Sequence, residues 1–92
     1  MFQLLYRSRF ERVFKKLDHT LQTQILRSLE ELAKDPFSHP QAKKLQGSPT
    51  NAYRVRIDRW RVIYLIVHQD KTIEVIDLFM KKSPADYQKR FR

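Results

Sequence analysis

The sequence predicts a small α+β fold: an antiparallel sheet with an N-terminal helical hairpin packed on one face and a short C-terminal helix, in the order β-α-α-β-β-β-α. Three observations carry this. Apolar residues recur at helical spacing between Phe10 and Ala33. From Tyr53 the period changes to two, or to unbroken β-branched runs. A chain of 92 residues with one Gly and four Pro has room for one core and none for linkers, so the expected domain is residues 1–92.

The elements follow in order. Phe2-Gln3-Leu4-Leu5-Tyr6 is short, apolar and aromatic, as a strand is. Ser8-Arg9-Phe10-Glu11 has the Ser-x-x-Glu form of a capping box, in which hydroxyl and carboxylate each satisfy an orphan amide. Behind it Phe10, Val13, Phe14 and Leu17 share one helical face. Asp18-His19-Thr20 interrupts that stripe and can cap a second helix, whose apolar face is Leu21, Ile25, Leu29, Leu32 and Ala33. That helix should stop before Asp35-Pro36. Residues 35–50 hold three Pro and the one Gly, Gly47, and predict a loop.

Tyr53, Val55 and Ile57 then alternate with Arg54 and Arg56, the pattern of a strand with one face turned to solvent or ligand. Trp60 to Val67 is almost continuously apolar, as a central strand covered on both faces would be. Ile73 to Phe79 is a third such run, reached through a His68-Gln69-Asp70-Lys71 turn. Ser83-Pro84-Ala85-Asp86 has Pro where a helix tolerates it best, and Tyr87 to Phe91 would form the closing helix.

Charge excludes as much as it suggests. Nineteen Lys and Arg face ten Asp and Glu, a net +9. The excess is lopsided, with seven bases against five acids in residues 1–42 and twelve against five in residues 43–92. A generic basic surface is the bland explanation, but the bases gather where strands are expected. A polyanionic partner is therefore favoured, since Lys and Arg release counterions from phosphates on binding. There is no Cys, so no disulfide frame and no thiolate metal site. No run approaches the roughly 18 apolar residues of a membrane span, and MFQLLYRSRF lacks a secretory pattern. These features suit a cytoplasmic protein.

The usual catalytic signatures are missing: no Gly-rich phosphate loop, no Gly-x-Ser-x-Gly elbow, no His-Glu-x-x-His pair. His19, His39 and His68 fall in expected turns or loops, where solvated surface residues are the rule, and have no metal-ligand spacing. Neither metal nor cofactor is expected. What stands out is cationic. Arg54 and Arg56 project from one strand face about 6.5 Å apart. Arg61 begins the next strand, sharing a face with Ile63 and Leu65, and hairpin pairing brings it near Arg56 or Arg54. Lys81 and Lys82 end the last strand, and Tyr87 opens the final helix. Guanidinium groups with a Tyr nearby suit phosphate clamping and base stacking.

Lys44-Leu45-Gln46-Gly47, then Tyr53-Arg54-Val55-Arg56-Ile57, then Trp60-Arg61-Val62-Ile63-Tyr64, resemble the RelE/ParE toxin superfamily across essentially the whole chain. The resemblance implies a toxin of a type II toxin–antitoxin pair. Its RelE-like branch cleaves mRNA in the ribosomal decoding site; its ParE-like branch poisons DNA gyrase. The RelE-like reading makes the chain a metal-independent endoribonuclease in which the RNA 2′-hydroxyl attacks the adjacent phosphate.

On that reading Arg61 matches a phosphate-contacting arginine, Lys81 falls where a catalytic arginine often sits, and Tyr87 matches a tyrosine that stacks on the base or helps deprotonate the hydroxyl. Arg54 and Arg56, at positions that are lysines in some active members, join Lys43, Lys44 and Lys82 as phosphate-binding residues. Because Arg is effectively never deprotonated, Arg54 and Arg56 are clamps and not bases, and Tyr87 is the conventional base candidate. The implied partners are a cognate antitoxin in a hetero-oligomer, the ribosome and mRNA. A ParE-like gyrase inhibitor and a catalytically weak RNA-binding relative remain the alternatives.

Overall fold

The computed structural model describes residues 1–47 and 51–81. Its order is β1 (Gln3–Tyr6), α1 (Ser8–Phe14), α2 (His19–Lys34), β2 (Ala42–Lys44), β3 (Ala52–Ile57), β4 (Trp60–Val67) and β5 (Thr72–Met80). The expected closing helix, with Lys82 and Tyr87, lies outside the described residues. The five strands form one mixed sheet in the order β1-β5-β4-β3-β2, with both helices packed on one face.

The helices begin differently from each other. At α2 the Asp18 carboxylate accepts from the Leu21 N–H at 2.8 Å, the cap its position predicts. The capping box at α1 does not form. The N-cap is Arg7, whose extended backbone leads into the helix, and Ser8 already lies in the first turn. The Arg7 N–H is committed to the Val75 carbonyl at 2.9 Å, so sheet pairing fixes the helix entry one residue earlier than the local signal. Asp35 and Pro36 stop α2 as expected.

Two further expectations are corrected. The sheet is not wholly antiparallel, because β1 pairs parallel to β5, with Leu4 opposite Ile73. The helical hairpin carries the chain from β1 across the sheet to β2 at the opposite edge, and the antiparallel run from β2 to β5 brings it back beside β1. The segment 35–50 is not all loop either: Ala42–Lys44 pairs antiparallel with β3 as an edge strand.

The core lies between α1, α2 and one sheet face. Phe10, Ile25, Leu29 and Leu32 from the helices meet Val55, Ile57, Val62, Tyr64, Ile66, Ile73, Val75 and Leu78 from the strands. Each fully buried aliphatic side chain there contributes roughly 1.5–3 kcal/mol. Register decides what remains for the other face. Val55 lies opposite Val62, and Val62 opposite Leu78, so their neighbours Arg54, Arg56, Arg61 and Ile63 turn away from the helices.

On β5 the alternation is interrupted. Ile63 pairs with Asp77 and Tyr64 with Val75, leaving Ile76 as an extra, bulged residue. Unbroken alternation from Ile73 and Val75 would send Asp77, Phe79 and Lys81 to the helix face. The bulge inverts that parity and gives them to the opposite face, the open face in the sense that no helix among the described residues covers it. No helix among the described residues is long and apolar enough to cross a membrane.

Two stability predictions follow from the core. Leu29→Ala should destabilise by about 2–5 kcal/mol, whereas Leu26→Ala, on the exposed side of the same helix, should change stability by less than about 0.5 kcal/mol. Urea denaturation would show both, and equal effects would contradict the assigned helix face. Tyr64 is fully buried, and its hydroxyl has no hydrogen-bond partner among the described residues. Burial, then the neighbouring Tyr53, raise its pKa, with Arg54 opposing. A phenol raised in the fold favours the native state below the unfolded value of about 10, and that stability is lost as pH climbs beyond it. Tyr64→Phe should therefore match or exceed wild-type stability at neutral pH and lose less than wild type above about pH 10.

Candidate phosphate-binding face

The open face of the sheet is organised in cross-strand rows. One row runs Lys43, Arg54, Ile63, Asp77; the next runs Arg56, Arg61, Phe79. Ile63 and Phe79 are buried and form an apolar floor, while Arg56 and Lys43 are exposed and Arg54 and Arg61 half-buried. The β3–β4 turn sets this register. Asp58 takes φ 55°, a left-handed conformation that Asp tolerates better than most residues, and the two-residue turn Asp58-Arg59 puts Trp60 opposite Ile57. Arg56 and Arg61 are thereby forced directly opposite each other. Like charges in that relation destabilise a sheet.

Among the described residues the guanidinium groups are held by neutral partners. Arg54 Nη1 donates to the Gln41 main-chain oxygen at 2.8 Å. Arg56 Nε and Nη2 both donate to Gln41 Oε1, at 3.1 and 2.8 Å. Arg61 Nη1 donates to the carbonyls of Asp58 and Trp60, each at 3.0 Å. All of these acceptors are neutral.

The acids of β5 are matched elsewhere: Glu74 pairs with Arg7, and Asp77 Oδ2 lies 3.8 Å from Arg9 Nη1. Asp77 is itself buried, and its Oδ1 accepts from the Leu78 N–H at 2.8 Å. Thus Arg7 and Arg9, at the start of α1, offset the carboxylates of β5, and no acid among the described residues forms an ion pair with Arg54, Arg56 or Arg61.

The expected site residues divide accordingly. Arg54, Arg56, Arg61 and Lys43 share the open face. Lys81 follows Met80, and its N–H donates to the Arg59 carbonyl at 3.0 Å, beside the turn that Arg61 binds. Alternation from Phe79 puts it on the same face. Lys44 is opposite Tyr53 and so has the other parity, at the sheet edge. Lys82 and Tyr87 lie outside the described residues.

Sequence reasoning missed Gln41 altogether and misjudged His39. The His39 side chain is only 6% exposed. Its Nδ1 accepts from the Gln41 N–H at 3.1 Å, and its Nε2 lies 3.1 Å from Glu31 Oε2 and 3.3 Å from Ser28 Oγ. Ser, His and Glu together suggest hydrolytic chemistry, but the geometry opposes it. Both partners share Nε2, and Nδ1 is occupied as an acceptor, so Nε2 carries the proton and cannot take one from Ser28. Among the described residues no cluster of His, Cys, Asp or Glu could hold a metal ion.

Residues 4–82 match the family model described as the ParE toxin of the type II toxin–antitoxin system parDE. Among solved structures, the fold is similar to that in the intact E. coli RelBE toxin–antitoxin complex, with a TM-score of 0.77 at 20% identity over 90% of this chain and 100% of that one. A RelE–RelB complex from Pyrococcus horikoshii OT3 gives 0.75 at 22% identity over 86% and 93%. The RelBE2 toxin–antitoxin complex of Mycobacterium tuberculosis gives 0.75 at 15% over 87% and 98%. No curated protein sequence matches the chain significantly.

The opposed arginines make a stability prediction. Arg61→Met, which keeps the apolar stem and removes the charge, should raise stability by about 0.2–1 kcal/mol, the scale of a cross-strand charge pair. Chemical denaturation at low salt measures this, and a clear loss of stability would show that Arg61 is there for the fold.

Proposed function

The chain belongs to the ParE toxin family of type II toxin–antitoxin systems, and on that premise we propose that it is a ribosome-dependent mRNA endonuclease held inactive by an antitoxin. The observation that carries this reading is the set of three strand arginines on one face whose hydrogen bonds end on neutral oxygens. A fold gains little from opposing Arg56 to Arg61. A polyphosphate ligand gains a preorganised clamp.

In the proposed reaction the RNA 2′-oxygen attacks the adjacent phosphorus and the bond to the 5′-oxygen breaks. The products are a 2′,3′-cyclic phosphate and a 5′-hydroxyl. Arg61 stabilises the charge that develops on the phosphorane. The Lys81 ammonium gives its proton to the departing 5′-oxygen, a transfer that a guanidinium makes far less readily. Tyr87, assigned by sequence match alone, accepts the 2′-hydroxyl proton as phenolate. Arg54, Arg56, Lys43 and Lys82 hold flanking phosphates, with Lys44 at the rim. The antitoxin is proposed to cover this basic face with an acidic, partly helical segment, in the cytoplasm, as a hetero-oligomer of the kind its structural neighbours were crystallised in.

The second reading, a gyrase inhibitor, is favoured by one observation, the ParE description of the matching family. Translation of a defined message with mapped fragment ends separates the two. Fragments with 2′,3′-cyclic ends, formed only with ribosomes present, support cleavage. Arg61→Ala should lower the cleavage rate by about 10²–10³-fold, the usual loss for one preorganised donor to a developing anion, and Tyr87→Phe should abolish it. Intact translated mRNA together with blocked gyrase supercoiling would establish the second reading instead.

A further inference from the structure

The arginines of β3 are positioned from outside their own strand, and the chain of contacts can be followed back into the core. Gln41 precedes β2 and meets β3 with both of its oxygens. Its carbonyl accepts from the Arg56 N–H at 3.0 Å and from Arg54 Nη1 at 2.8 Å, and its side-chain oxygen accepts from the Arg56 guanidinium. Its own N–H donates to His39 Nδ1 at 3.1 Å. The opposite side of that ring lies against Glu31 and Ser28 of α2, a helix anchored in the core by Ile25, Leu29 and Leu32.

We propose that His39 and Gln41 are positioning residues: a buried neutral imidazole fixes residue 41, and residue 41 sets the Arg54 and Arg56 guanidinium groups for an anionic ligand. This rests on the phosphate-binding reading of the open face. Neither residue touches the ligand in this account.

The chemistry of each group is specific. His39 must offer an unprotonated ring nitrogen to the Gln41 N–H. A side-chain amide oxygen at the same place can do so, but an aliphatic side chain cannot. Gln41 must offer a neutral oxygen. A carboxylate there would hold the Arg56 guanidinium at least as firmly but cancel charge that the ligand needs. Holding with a neutral group is therefore what separates a positioning device from a structural ion pair.

The full-length protein tests this through two readouts, the affinity for a short single-stranded RNA at fixed salt and the NMR signal of the Arg56 Nε–Hε group without RNA. In wild type that proton, which donates to Gln41 Oε1, should be protected from exchange. His39→Leu and Gln41→Ala should lose the protection and weaken RNA binding about three- to tenfold, the scale of one or two hydrogen bonds. His39→Asn should restore both. Gln41→Glu should keep the protection and still weaken binding, a split that a merely structural role does not produce.

Protection that survives His39→Leu, or equal effects of His39→Leu and His39→Asn, overturns the proposal. If His39→Leu fails to fold, Gln41→Ala and Gln41→Glu decide it, since Gln41 is only half-buried. Wild-type protein that binds no RNA refutes the phosphate-binding reading, while the Nε–Hε signals still decide whether His39 sets the arginines.

Discussion

The antiparallel pairing of β3 with β4 is the constraint on which the rest of the molecule depends. A two-residue turn with Asp58 in the left-handed region fixes which residues of the two strands are opposite. That register delivers Val55, Ile57, Val62 and Tyr64 to the helices and, one residue out of phase, Arg54, Arg56 and Arg61 to the open face. A slip of one residue would exchange core for charge on a strand. The apolar half of the hairpin therefore enforces the unfavourable opposition of Arg56 and Arg61, since releasing it would expose the core.

The remaining elements adjust to that decision. The bulge at Ile76 keeps Val75 and Leu78 both facing the helices and, in doing so, gives Asp77, Phe79 and Lys81 to the arginine face. The start of α1 supplies Arg7 and Arg9 to the carboxylates of Glu74 and Asp77, so those acids are not left to draw in the arginines of β3 and β4. Edge strand β2 brings Lys43 into the row with Arg54 and sets Gln41 beside the Arg56 guanidinium. On the proposed reading, stability and phosphate recognition use opposite faces of the same strands.

How much of this was legible in the sequence depended on the range of the interaction responsible. The helical stripe from Leu21 to Ala33, the Asp18 cap and the alternation of β3 are local patterns and appear where their spacing puts them, whereas the stripe from Phe10 is helical only to Phe14 and Leu17 follows in a turn. The parallel pairing of β1 is not local, since it depends on a partner some seventy residues away. The bulge was hidden because Ile73 to Phe79 looks like one uninterrupted buried strand. Strand β2 was concealed by the prolines around it, and with it went Gln41, an ordinary polar residue whose role exists only once Arg54 and Arg56 lie next to it. His39 was misjudged for the same reason: its burial comes from α2 and not from its own loop.

On the proposed reading, neutral groups position the strand arginines so that their charge remains available to phosphates. The salt dependence of binding to a short single-stranded RNA measures that availability, because each phosphate neutralised contributes about 0.7 to the slope of log K against log salt. Replacing Arg56 or Arg61 by Gln should lower the slope by about 0.7 in each case, and by about twice that in the double variant. A slope unchanged by these substitutions would mean that the open face does not meet the phosphates, and the account would fail at its root.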